Sequence, residues 1–247
     1  MSLFVRVPPR ELWARLVAPA ALTALKLSVV TSAIATAAVM ALGLPVAHLF
    51  ATGRFRGKRA LETLVELPMV LPPTVAGLGL LLAFGREGLV GRALDVFGVT
   101  LPFTTAAVVL AQAFVATPFF VSAATAGFRE VDARYTDAAA TLGAGPGYTF
   151  RRVMLPLALP SVLAGAATAW ARALGEFGAT IMFAGNLPGT TQTLPLAVYI
   201  GLQTDLQTAV ALSVILLIFS FTLLFGLRLA HRAPRVRRVT SGPGDAR

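Results

Sequence analysis

The chain has 247 residues, of which 56% are hydrophobic and 13% charged, and its 21 Lys and Arg residues exceed 11 Asp and Glu residues to give a net charge of +10. Soluble domains carry about a quarter charged residues, so this composition excludes an ordinary soluble domain and predicts a protein of the lipid bilayer. In so apolar a chain the basic excess indicates cytoplasmic loops rather than a nucleic-acid partner, and the absence of cysteine excludes disulfides and cysteine-based catalysis or metal binding.

Long intervals without any charged residue predict the transmembrane helices, because an ionised side chain at the bilayer centre costs about 2.5–3.5 kcal/mol. Six such intervals occur, at 27–53, 67–85, 96–128, 153–171, 177–204 and 206–227. Five of them supply the roughly 20 apolar residues that a crossing needs. The expected spans are 27–50, 67–85, 102–127, 153–174 and 207–228. The interval 177–204 is divided by a polar stretch at 186–193, so we expect a re-entrant or interfacial segment there.

Basic residues predict the sidedness of these spans. The loops 51–61 and 128–152 and the tail from 228 hold four, four and six of the 21 basic residues, and such segments face the cytoplasm. Five crossings place all three on that side. The expected organisation is an extracytoplasmic or interfacial segment at 1–21, a membrane domain at 22–230 and a cytoplasmic tail at 231–247. The basic residues Arg6, Arg10 and Arg15 oppose an external N-terminus, and an additional interfacial helix is the alternative there.

Prolines inside the spans predict kinks. Pro68, Pro72 and Pro73 fall in the second expected span, and Pro118 falls in the third. Proline removes a helical hydrogen bond, but neighbouring groups in a helix bundle can satisfy the freed carbonyl. Two interpretations stay open: the kinks serve as hinges or widen a cavity, or they are ordinary bends of membrane helices.

The loop at 128–152 has the pattern of a short helix. Acidic residues lie toward its start, alanines follow, and Gly143 suits the left-handed geometry that ends a helix. This loop resembles that of the permease subunits of ABC importers, which carries E-A-A, three residues, G, nine residues and I-x-L-P. The residues that fit this spacing, with Asp for Glu and Val for Ile, are Asp137, Ala138, Ala139, Gly143, Val153, Leu155 and Pro156.

This resemblance implies an all-α integral membrane protein of the ABC importer type I permease (MetI-like) fold. Residues 130–147 would then be a coupling helix that docks in a groove of a separate ATPase subunit. The chain contains no phosphate-binding loop. We therefore expect it to be no enzyme and to bind no cofactor or metal, with ATP and magnesium on the partner ATPase.

One face of the fourth span combines small and charged residues. Ser161, Gly165, Ala169, Arg172 and Glu176 recur at steps of three or four. Small residues allow close helix approach in lipid, and Arg172 can pair with Glu176. Either this stripe lines the transport pathway with Arg172 attracting an anion, or the charged pair locks the span to its neighbours.

Four runs narrow the resemblance to the permeases of molybdate importers. They are E-L-P-M-V-L-P-P (66–73), R-A-L-G-E-F-G-A-T-I (172–181), G-N-L-P-G (185–189) and T-L-P (193–195). The likeness extends from about residue 22 to 230. Sulfate and thiosulfate permeases share a related G-E-F-G stretch and are the alternative.

The resemblance implies that the chain conducts molybdate, or tungstate, across the bacterial cytoplasmic membrane. The implied partners are an ABC ATPase subunit, a periplasmic or lipoprotein oxyanion-binding protein and a second copy of the permease in a homodimer. The candidate pathway or gate residues are Arg172, Glu176, Gly178, Thr180, Pro72 and Pro73. A membrane-anchored enzyme or scaffold that works without an ATPase partner is the alternative from another class.

Overall fold

The computed structural model describes residues 18–230. Helices connected by turns form this range, and it contains no strand. The expectations for the N-terminal arginines and for the tail at 231–247 concern residues outside the described range.

The helices follow one another with short connections. In chain order they are α1 (Pro19–Thr52), α2 (Lys58–Val70), α3 (Pro73–Phe84), α4 (Leu89–Asp95), α5 (Thr105–Arg129), α6 (Ala133–Thr141), α7 (Pro146–Thr149), α8 (Leu155–Leu174), α9 (Gly178–Ala184), α10 (Leu194–Thr204) and α11 (Leu206–Ala230). A π-helical turn, Phe150–Met154, joins α7 to α8, so that Pro146–Leu174 forms 29 helical residues without a break.

Three helices within the described range are long and apolar enough to cross a membrane: α1, α5 and the continuous helix that ends with α8. The part of α11 whose side chains are described, Leu206–Thr222, is apolar but shorter. Helix α1 begins at Pro19, earlier than the expected start at 27, because exposed Lys26 lies on the helix instead of ending it. Gaps between charges therefore mark the apolar part of a helix and not its ends. The crossing of the membrane by five spans stays a prediction.

The second expected span, 67–85, is wrong as a single helix. The structure divides it into α2 and α3, which meet at an angle of 116°. The cause is the proline pair: Pro72 is the N-cap of α3 and Pro73 occupies its first turn. Neither can donate the amide hydrogen bond that would continue α2. The predicted kink is therefore a complete break.

The centre of the molecule is formed by α1, α5 and α8. Their buried residues make one cluster in which alanines alternate with Val39, Phe120 and Phe128. Small residues bring the backbones together: a Cβ on Gly43 would lie 2.9 Å from Phe120 Cδ1, and one on Gly165 would lie 2.9 Å from Ala123 Cβ. Close approach of this kind replaces the hydrophobic driving force, which lipid does not supply.

Two smaller groups of helices pack against this centre. Helix α9 lies between α3 and α5, where Ala179 and Phe183 contact Leu80 and Val108. Helix α10 packs on α11 and α1, and its first turn is held by a hydrogen bond of 2.6 Å from Leu194 N to Ser28 Oγ. The segment 177–204 thus forms two short helices, of seven and 11 residues, on either side of a polar turn. Neither is long enough to cross, as the sequence predicts.

Candidate functional site

Helix α6 has well-defined signals at both ends. At its start, the Asp132 side chain accepts a hydrogen bond of 2.9 Å from Arg134 N. At its end, Gly143 adopts φ +78°, with hydrogen bonds from Gly143 N to Ala140 O and from Ala144 N to Ala139 O. This pair of bonds is the Schellman arrangement, which needs a left-handed residue at that position. The predicted helix stop at Gly143 is confirmed.

An ion pair strengthens the start of α6. Arg134 Nη2 lies 2.6 Å from Asp132 Oδ2. The side-chain and backbone hydrogen bonds from Arg134 hold the pKa of Asp132 below its ordinary value of 3.8. A lowered carboxyl pKa stabilises the folded state at pH values above the ordinary pKa, and this contribution is lost as the pH falls through the lowered one. The cap is therefore intact at neutral pH.

Helix α6 has one face toward the protein and one face without a partner in the described chain. Ala139 is buried, whereas Asp137 and Ala138 are exposed. On the exposed face, the side chains of Tyr135 and Leu142 are 57% and 87% accessible. Exposed apolar side chains that share one face of a short polar helix are typical of an interaction site.

The second half of the loop motif lies where the fourth expected span, 153–174, begins. Val153 is in the π-helical turn, and Leu155 and Pro156 are the first residues of α8. Pro156 has no amide hydrogen to donate, and it follows directly on this turn, whose last hydrogen bond runs from Leu155 N to Phe150 O. Helix α6 packs against this turn. The two halves of the motif are thus adjacent in space.

The second group of candidate residues lies at the other end of α8. Arg172 Nη1 is 2.6 Å from Glu176 Oε2, so the predicted pair is confirmed. The Glu176 side chain is 1% exposed, and its Oε1 accepts a hydrogen bond of 2.8 Å from Ala179 N. Glu176 therefore connects the end of α8 with the first turn of α9.

The remaining pathway candidates surround this connection. A Cβ on Gly178 would lie 2.8 Å from Pro73 Cβ, so only glycine allows α9 to approach the start of α3 this closely. Pro72 is exposed, whereas Thr180 is fully buried and its hydroxyl has no hydrogen-bond partner in the described chain. The structure thus brings the runs 66–73 and 172–181 together.

The small part of the stripe on α8 has a packing role. Gly165 meets Ala123 and Phe120 on α5, Ser161 lies against Gly127, and Ala169 is fully buried. The contacts of Gly165 and Ser161 with α5 favour the interpretation that this part of the stripe holds the span to its neighbours. Arg172 is the basic residue of the stripe, and its side chain is 28% accessible, so it could face an anion.

The contacts between helices that sequence reasoning missed include one at the end of α5. Arg129 Nη2, at the end of α5, donates hydrogen bonds of 2.7 Å to Glu62 Oε1 on α2 and of 3.2 Å to Phe50 O on α1. In the sequence Arg129 indicated only sidedness. No local pattern links it with Glu62, which is 67 positions away.

Comparison with known proteins places this architecture in a family. The family described as "Binding-protein-dependent transport system inner membrane component" matches residues 40–238. The chain is 47% identical over 227 residues to the molybdenum transport system permease protein ModB of Mycobacterium bovis, covering 92% of this chain and 86% of that protein.

Solved structures confirm the expected permease fold. One is the MetNI methionine ABC transporter in an inward-facing conformation, with a TM-score of 0.69, 18% identity, and coverage of 93% of this chain and 100% of that chain. Another is a bacterial alginate ABC transporter in complex with an alginate-bound periplasmic protein, with a TM-score of 0.73, 15% identity, and coverage of 94% and 85%. The chain belongs to the family of binding-protein-dependent transport system inner membrane components.

Proposed function

We propose that this chain is the permease subunit of an ATP-driven importer that carries molybdate across the bacterial cytoplasmic membrane. The observation that carries the proposal is the identity of 47% over 92% of the chain to a permease named for molybdenum transport. Tungstate, an oxyanion of the same shape and charge, is a further cargo. The chain itself moves the ion and hydrolyses nothing.

The geometry of α6 supports a separate ATPase as the source of energy. Its exposed face offers Tyr135, Ala138 and Leu142 to a partner, and its two ends are fixed by Asp132 and Gly143. A short helix that is rigid and apolar on its outer side can transmit a push or pull from a neighbouring protein. We infer that residues 130–147 dock in an ATPase subunit, which binds ATP and magnesium.

Two further partners follow from transport of a dianion. A doubly charged oxyanion cannot enter hydrocarbon, so it needs a water-filled route that opens to one side at a time. Five spans make a thin wall, and we propose that two copies of the chain enclose the route. A periplasmic or lipoprotein binding protein would deliver the oxyanion at the outer face, near the polar turn at 186–193.

Within this proposal, Arg172 and Glu176 are on the outer side of the membrane. Loops 51–61 and 128–152 and the C-terminal tail are on the cytoplasmic side. Helix α8 separates Arg172 from Leu155 by 17 residues, which is about 25 Å of helix. That distance approaches the thickness of the hydrocarbon core. Within this proposal, the coupling helix and the candidate oxyanion-binding residues Arg172 and Glu176 are therefore at opposite faces of the membrane.

The experiment is uptake into vesicles. The complex of this chain with its ATPase and its binding protein is reconstituted, and accumulation of molybdate, tungstate and sulfate is measured with and without ATP. We expect ATP-dependent accumulation of molybdate. Accumulation of sulfate but not of molybdate would instead support the alternative that this chain is the permease of a sulfate or thiosulfate importer. A chain that purifies without any ATPase would support the anchored enzyme or scaffold.

A further inference from the structure

Helix α2 is joined to the rest of the described chain by few buried contacts. Of its 13 residues, only Pro68 is buried. Its C-terminal end meets α3 at 116°, with Leu71 and Pro72 between the two helices. Little buried surface within the described chain, next to a break in the backbone, is typical of an element that can turn about a hinge.

Helix α3, on the other side of the break, is fixed. A Cβ on Gly77 would lie 2.6 Å from the carbonyl oxygen of Ala179, and Leu80 belongs to the buried cluster shared with α5 and α9. Backbone contacts this close leave no room for sliding. Any change of angle between the two helices is therefore a movement of α2.

Two contacts hold α2 to the centre: Val65 packs against the central cluster, and Glu62 forms an ion pair of 2.7 Å with Arg129. Arg129 also donates to Phe50 O, one of the last carbonyls of α1, so the guanidinium connects three helices. A cavity of about 420 Å³ lies beside this pair, lined by Thr63 and Glu66 from α2 and by Ser122 from α5 among others. The two helices are thus connected at the ion pair and separated by space next to it.

Arg129 is also directly connected to α6. It is the last residue of α5, and the N-cap of α6 is Asp132, three positions later. The intervening turn is hydrogen-bonded, from Glu130 N to Ala126 O at 3.1 Å and from Val131 N to Phe128 O at 3.4 Å. A displacement of α6 therefore reaches Arg129 through a short and ordered segment.

We propose that the contact between Arg129 and Glu62 transmits movement of α6 to α2, which then turns about the break at Leu71 and Pro72. Arg129 is in this sense a positioning residue for transport. The inference rests on the proposed function, since it takes an ATPase as the partner that moves α6. Turning α2 changes the angle between the α2 and α3 halves of the second span.

The first test measures how tightly transport of the oxyanion is coupled to ATP hydrolysis. Reconstituted complexes with E62Q, with R129Q and with the charge exchange E62R/R129E are compared for oxyanion accumulated per ATP hydrolysed. An ion pair with partly exposed partners contributes modestly, so we expect each single substitution to lower this ratio by about two- to fivefold, with ATP hydrolysis retained. The exchange should restore most of the ratio. An unchanged ratio in both single variants, or no recovery in the exchange, would overturn the proposal.

The matched control is E66Q. Glu66 lies one turn beyond Glu62 on α2 and lines the same cavity, but it forms no ion pair within residues 18–230. We expect its ratio of transport to hydrolysis to equal that of the unaltered complex. An equal loss in E66Q and E62Q would contradict a specific role for the contact with Arg129.

A second experiment measures the movement of α2 directly. It does not depend on which oxyanion the complex transports. The chain has no cysteine, so T63C/S122C places one pair of spin labels across the cavity in each copy of the chain. We expect a nucleotide-dependent change in the distance between the labels, and loss of that change when R129Q is added. Persistence of the change with R129Q would refute the connection, whichever oxyanion is transported. Failure of the proposed function would appear separately, as an unaltered complex that hydrolyses ATP without accumulating molybdate.

Discussion

Gly143 shows how a single backbone angle can determine a docking element. Its φ of +78° is costly for residues with a side chain, yet no atom lies within 4 Å of the position of a Cβ. The requirement for glycine therefore comes from conformation and not from crowding. The angle allows the last carbonyls of α6 to be satisfied beside the exposed Leu142.

Replacing Gly143 should weaken ATPase association in proportion to the cost of the left-handed conformation. Valine there costs on the order of 1–2 kcal/mol or more, whereas asparagine tolerates this region. We expect G143V to lower the amount of ATPase that co-purifies by about five- to thirtyfold and G143N to lower it much less. Quantitative pull-down from membranes measures both. Full retention by G143V would argue against α6 as the coupling helix.

Arg172 and Glu176 form an ion pair at the end of α8. A buried carboxylate that loses its cation is strongly destabilising, by roughly 3–5 kcal/mol when both partners are buried, and by less here because Arg172 is 28% exposed. We expect R172Q to lower the thermal stability of the purified chain, and R172Q/E176Q to recover most of it, because the double variant buries no charge. Unfolding temperatures in detergent measure this. A stable R172Q complex that hydrolyses ATP but does not transport would instead assign Arg172 to the pathway.

At the scale of helices, the packing of α3 against α9 brings the pathway candidates Pro73 and Gly178 together. Gly77 and Gly79 differ sharply in their surroundings although they lie on the same helix. A Cβ at Gly77 would meet backbone atoms of Ala179, whereas a Cβ at Gly79 would meet nothing within 4 Å. The fit of the two helices thus depends on one glycine and not on the other.

These two glycines make a matched pair of variants. We expect G77A to destabilise the chain by about 1–3 kcal/mol, because backbone atoms of α9 cannot move aside without displacing the helix. G79A should be neutral or slightly stabilising, since alanine is the better helix former by about 1 kcal/mol. Thermal unfolding of the two variants under the same conditions measures the difference. Equal stability would show that α9 shifts freely against α3.

Elements whose signals are local could be predicted from the sequence, and contacts between distant segments could not. The end of α6 at Gly143 and the pair between Arg172 and Glu176 depend on neighbours within one helical turn, and both were predictable. The prolines located the break before α3, but nothing in the local sequence specifies its angle of 116°. The contact of Arg129 with Glu62 joins segments 67 positions apart, and no periodic pattern encodes it.

At the scale of the whole molecule, helix length and charge placement lead to the same topology. Helices α9 and α10, of seven and 11 residues, extend only about 10 and 17 Å, against a hydrocarbon core of about 30 Å. We therefore expect the segment 177–204 to return to the side from which it came. With α2 and α3 taken together as one crossing, both basic loops and the basic tail then share one side, as the preference of basic loops for the cytoplasm requires.

Single cysteines test this topology, because the chain contains none of its own. R56C, T141C and S241C should resist a membrane-impermeant thiol reagent in intact spheroplasts and react after the membrane is opened, since each lies in a segment assigned to the cytoplasm. V99C and L187C, which replace side chains that are 45% and 47% exposed, should react in intact spheroplasts. If 177–204 crossed the membrane, L187C would lie within the bilayer and react slowly, and S241C would be labelled from outside. That pair of results would exclude five crossings. It would show a sixth crossing at 177–204, with the six basic residues of the C-terminal segment outside the cytoplasm.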